Sequence, residues 1–93
     1  MDGMRHVRLS VQGKVQGVWF RASAKETADQ LGVKGWVKNL PEGGVEIDAW
    51  GGAEAVESFI GWCSHGPPGA RVTRTDIKEL GQGAGPQDFL IVR

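Results

Sequence analysis

Val33-Lys34-Gly35-Trp36-Val37-Lys38-Asn39-Leu40-Pro41-Glu42-Gly43-Gly44-Val45-Glu46-Ile47-Asp48-Ala49-Trp50 reads as two strands joined by a tight turn. Val33 and Val37 fall on one face of the first strand and Trp36 on the other. In the second, Val45, Ile47 and Ala49 alternate with Glu46, Asp48 and Trp50. That period of two is the mark of a strand with one face buried. Pro41 presets a turn, and Gly43-Gly44 accept the unusual φ values that a hairpin needs.

Helices flank this hairpin on both sides. Phe20, Ala24, Thr27, Ala28 and Leu31 recur at helical spacing before it, with Gly32 placed to end that helix. After it, Val56, Phe59, Ile60 and Cys63 stand at i, i+3, i+4 and i+7. The second helix must stop before Gly66-Pro67-Pro68-Gly69, because proline removes a donor and clashes with helical geometry. Further out, Val7, Leu9 and Val11 alternate with His6, Arg8 and Ser10 as a first strand. Arg71 to Leu80 is strand-rich, but Val72 and Ile77 have opposite parity, which predicts a bulge or break. Gly81 to Pro86 is expected to be an exposed, mobile loop, and Phe89 to Val92 a short last strand.

The order is β-α-β-β-α-β plus one short C-terminal strand, with no internal repeat. It predicts an α+β, ferredoxin-like two-layer sandwich: a mainly antiparallel sheet with both helices on one face. In that topology strands one and two run the same way. Their ends, near Gly13 and Asn39, are therefore expected on one edge of the sheet.

A chain of 93 residues suits one domain, taken as 1–93. Its 40% hydrophobic content fits an ordered core, and eleven Lys and Arg balance eleven Asp and Glu. No global field then draws in nucleic acid or an anionic membrane, so anion binding has to be local. Cys63 is the only cysteine, which excludes an internal disulfide framework and a thiolate zinc cluster. Met1 to His6 has no long apolar run, and nowhere do about 18 apolar residues follow one another. A monomer in the reducing cytoplasm, off the membrane, is the expectation.

A local anion site is available. In Gly13-Lys14-Val15-Gln16-Gly17-Val18-Trp19-Phe20-Arg21, glycines at both ends allow a tight turn in which successive N–H groups converge. The loop opens straight into a helix N-terminus, where unpaired N–H groups and the dipole favour an anion. Arg21, in the first turn, can grip two phosphate oxygens with its planar fork. No Gly-Lys-Ser or Gly-Lys-Thr follows, which disfavours a nucleotide triphosphatase loop.

The same nine residues resemble the G-x-V-Q-G-V-x-F-R signature of the acylphosphatase family. Gly35-Trp36-Val37-Lys38-Asn39, with Gly43-Gly44-Val45-Glu46, is similar to that family's second signature, G-W-V-x-N-x-x-x-G-x-V-E. Gly66-Pro67-Pro68-Gly69-Ala70-Arg71-Val72 resembles the segment after its second helix, so the likeness covers nearly the whole chain. The resemblance implies a hydrolase that splits small-molecule acyl phosphates into a carboxylate and inorganic phosphate, without cofactor or metal. It implies that Arg21 binds the phosphoryl group and that Asn39 positions the attacking water. The backbone of Lys14, Val15, Gln16, Gly17, Val18, Trp19 and Phe20 would cradle the phosphate, with inorganic phosphate or sulfate as a product-like ligand. Two positions depart from the pattern. Leu40 replaces the small hydroxyl residue that often follows the asparagine, and Phe89-Leu90-Ile91-Val92-Arg93 differs from the common ending.

Other residues invite plainer readings. His6 and His65 lack metal-ligand spacing and read as surface or loop residues. Cys63 lies on an apolar stripe, as a small buried hydrophobe does. Glu42, Glu46 and Asp48 read as charges on a solvated face, and Trp36 and Trp50 as packing on the sheet surface. Trp19 either shields a ligand or covers the helix start. Two other functions compete with hydrolysis. An RNA-recognition module shares the element order but needs aromatics on strand one, which has none. A domain that only binds an anion or a partner protein would have no use for both Arg21 and Asn39.

Overall fold

The hairpin forms where expected, as β2 (Lys34–Asn39) and β3 (Val45–Gly52). The computed structural model describes residues 4–81, 83 and 85–92. The other elements are β1 (Met4–Lys14), α1 (Phe20–Leu31), α2 (Ala53–Cys63), β4 (Arg71–Gly81) and β5 (Phe89–Val92). The sheet order is β4-β1-β3-β2-β5. All pairings are antiparallel except β2 with β5. This is the ferredoxin-like α+β fold, with an extra strand on the β2 edge.

The end of α1 has a local cause. Gly32 adopts the left-handed region at φ 77°. The N–H groups of Gly32 and Val33 then close back on the carbonyls of Asp29 and Ala28, at 3.3 and 2.8 Å. That pattern satisfies carbonyls left over at a helix end and turns the chain into β2. The hairpin turn closes through Gly43 N–H to Leu40 O at 3.0 Å, with Pro41 in the second position.

The core lies between the sheet and the two helices. Val7, Leu9 and Val11 from β1, Val37 from β2 and Val45, Ile47 and Ala49 from β3 are all buried on the helix side. Phe20, Ala24 and Ala28 of α1 and Val56, Phe59, Ile60 and Cys63 of α2 meet them there, and Phe89 closes the β5 end. Both helical stripes read from the sequence face this core, with Thr27 and Leu31 of α1 half-buried.

The parity conflict in β4 resolves as a bulge. Gln12 faces Arg74 while Gly13 faces Val72, so Thr73 is extra and Val72 and Ile77 share a face. A side chain at Gly13, where φ is 126°, would run into the Arg71 carbonyl opposite. A second shift, between His6 and Val7, leaves Leu80 unpaired in the register. Of the expected loop at 81–86, Gln82 and Ala84 lie outside the described residues. Gly81 ends β4, and Gly85 lies hard against the Trp50 ring.

Three expectations need correction. Asp48 is not solvated: it is 2% exposed on the helix-free face of the sheet. Arg8 stands directly opposite it in register and grips it from Nε at 2.7 Å and Nη2 at 3.0 Å. His6 is not a loose surface residue either. Its Nε2 lies 2.9 Å from Asp48 Oδ2, and its ring stacks on Trp50 at 3.8 Å between centroids. Burial alone would push the Asp48 carboxyl up, but the hydrogen bonds from Arg8 and His6 hold it below the usual range. Lys14, finally, is not part of the loop. It closes β1 opposite Arg71.

Candidate active site

The strand register fixes where the site falls. Val45 of β3 pairs with Val11 of β1 on one side and with Asn39 of β2 on the other. Asn39 therefore stands level with Val11, two strand spacings or roughly 9–10 Å away across the sheet. The chain passes that level at Val11, leaves β1 after Lys14 and turns through Val15 to Trp19 into α1. Loop and asparagine meet on one edge.

A single cavity of about 440 Å³ opens there, lined by Val15, Gly17, Trp19, Phe20, Arg21, Ala22, Asn39 and Ile91. Among the described residues, Arg21 is its only charged wall. The structure thus brings Arg21, Asn39 and four of the loop residues together. Val18 instead packs against the core, and Lys14 remains in the β1 ladder. Gln16 reaches sideways: its Nε2 donates to the carbonyls of Leu40 at 2.8 Å and Gly44 at 2.9 Å. It thereby clamps the loop to the turn just beyond Asn39.

The loop has the backbone that an anion cradle needs. Gly17 has φ 74°, and Trp19, at the N-cap of α1, has φ 64° and ψ 24°. The first helical bond runs from Ser23 N–H to Trp19 O at 2.9 Å. Among the described residues, no backbone N–H from Gln16 to Phe20 is spent on another main-chain group. Such a run of free donors at a helix start attracts negative charge. Among the described residues, too, no group of three or more His, Cys, Asp or Glu is arranged to hold a metal ion.

Two contributors were not foreseen. Ile91 reaches the cavity because β5 pairs parallel to β2, setting Ile91 opposite Val37. The Val92 carbonyl accepts from Arg21 Nη1 at 3.3 Å. One helical turn on, Lys25 Nζ donates to Phe89 O at 2.9 Å, so two cations of α1 hold β5 in place. The alternation of Phe89 and Ile91 was the only sequence signal for this, and it names a face of β5 without naming its neighbour.

Fold and site define the class: a ferredoxin-like sandwich whose β1–α1 loop and central hairpin share one polar-floored mouth. Comparison with known proteins narrows it. The Acylphosphatase family profile matches residues 7–91. An acylphosphatase of Methylococcus capsulatus is 48% identical over 90 residues, covering 97% of this chain and 98% of that protein. The crystal structure of acylphosphatase from Bacillus subtilis superposes with TM-score 0.91 at 38% identity, over 96% of this chain and 99% of that one. An acylphosphatase structure from Coxiella burnetii gives 0.90 at 36%, over 97% and 94%. The chain belongs to the acylphosphatase family, hydrolases acting on acyl phosphates. No described helix is long and apolar enough to cross a membrane.

Proposed function

We propose that this mouth hydrolyses acyl phosphates by holding the phosphoryl group on the loop amides and the Arg21 guanidinium while Asn39 aims a water at phosphorus. The observation that carries the reading is the shared cavity: Arg21, Asn39 and the loop line one wall-to-wall space. The loop's free N–H groups are the second support.

The chemistry asks little more of the protein. A carboxylate is a good leaving group, and phosphoryl transfer runs through a loose transition state with charge spread over the equatorial oxygens. Fixed donors stabilise that charge, and orientation lowers the remaining barrier. Water forms the new O–P bond, the bond to the acyl oxygen breaks, and a phosphate oxygen of the substrate takes the water's proton. The carboxamide of Asn39 directs the water without acting as a base.

The protein works, in this reading, as one catalytic domain and a monomer in the cytoplasm, a reducing compartment that suits its single unpaired, buried thiol. Gel filtration at 10 kDa checks the monomer. The decisive assay is benzoyl phosphate hydrolysis by the wild type and Asn39→Ala. The wild type should turn it over, and the variant should lose kcat by about 10²-fold or more while inorganic phosphate still inhibits. Wild-type turnover by Asn39→Ala would falsify the water-positioning role.

A further inference from the structure

The phosphate half of an acyl phosphate occupies only part of this cavity. The acyl half must lie toward solvent, past Arg21 and Asn39, because the loop closes the other side. What waits there is apolar. Trp19 is 81% exposed and Ile91 40% exposed. Leu90 and Val92 are also exposed, yet strand alternation sends them to the opposite face, and neither lines the cavity. Gly17 and Ala22 leave room between the larger walls.

Trp19 is held there against its own preference. The left-handed region at φ 64° is unfavourable for a bulky side chain, and a large indole in water leaves apolar surface unburied. Phe20, next along the chain, also borders the cavity but is buried in the core. A strained, solvent-facing tryptophan beside a charged pocket points to a ligand with an anionic head and an apolar body.

Resting on the acyl phosphate reading above, we propose that Trp19 and Ile91 form a rim that receives the acyl group, selecting aromatic or bulky apolar acyl phosphates over acetyl phosphate. The rim binds the acyl body alike in ground and transition states, so its effect belongs in KM.

The test is the ratio of kcat/KM for benzoyl phosphate to that for acetyl phosphate. Trp19→Gly, which accepts the same backbone conformation, should lower this ratio about tenfold, or about 1.4 kcal/mol. The loss should fall mainly in the benzoyl phosphate KM, and Trp19→Phe should restore most of it. Ile91→Ser, on a separate element, should lower the ratio about threefold. If both variants keep the ratio within twofold of the wild type, whatever their absolute rates, the rim has no such role and Trp19 merely shapes the loop. A wild type that hydrolyses neither substrate sinks the functional reading itself, which is a different result.

Discussion

Arg21 combines a charge with a planar fork, and the two can be separated by substitution. Arg21→Ala should cut kcat by about 10²–10³-fold or more in a benzoyl phosphate assay. Arg21→Lys keeps the charge but loses the bidentate grip, so it too should be strongly impaired, and near-wild-type turnover would show that charge alone suffices. Asp48 sets a test of a different kind. Its folded carboxyl ionises more readily than an unfolded one, so its contribution is whole above about pH 3.9 and drains away as pH falls through the lowered folded value. Asp48→Asn should therefore lower Tm at pH 7 by about 5–10 °C, and the gap to wild type should close in strong acid. A gap that stays constant down to pH 2 would rule out the ion pair as its source. Arg21 and Asn39 were legible in the sequence because they sit inside spaced motifs. Asp48 was not, since a carboxylate at an outward position reads as solvated until the cross-strand register supplies Arg8 and His6.

At the level of elements, β5 joins the hairpin through its ladder with β2, whereas side-chain contacts tie the β1–α1 loop to the hairpin and α1 to β5. Gln16 joins the loop to the hairpin by donating to Leu40 O and Gly44 O. Leu40 serves through its backbone, so the departure from the family pattern at that side chain leaves this clamp intact. Gln16→Glu removes both donors at a stroke, because a carboxylate only accepts. We expect about a tenfold or greater loss of kcat, with faster hydrogen exchange at the amides of Leu40, Glu42, Gly43 and Gly44. Unchanged exchange would show that the turn holds itself. The hairpin, both helices and the β4 bulge followed from periodicity and parity. The docking of β5 did not, because a short glycine-rich connection after β4 suits an antiparallel partner equally well. The chain instead reaches the far edge of the sheet, where Lys25 and Arg21 receive it.

Across the described residues, one core joins both helices and every strand but β4, which adds only the half-buried Val72 at its margin, and Cys63 lies fully inside it. Burial pushes its thiol above the ordinary range, which leaves almost no thiolate in the native state. A thiol-labelling reagent should react with Cys63 only when the protein opens, at a rate that tracks stability across a urea series. Labelling in native buffer as fast as in strong denaturant would contradict the core described here. The parallel seam between β2 and β5 has one more consequence. A chain emerging from the ribosome owns no walled mouth until residues 89–92 have cleared the exit tunnel and crossed to their seat. Return of turnover after dilution from urea should thus serve as a clock for completion of the entire sheet, ticking only once its most distant segments have met.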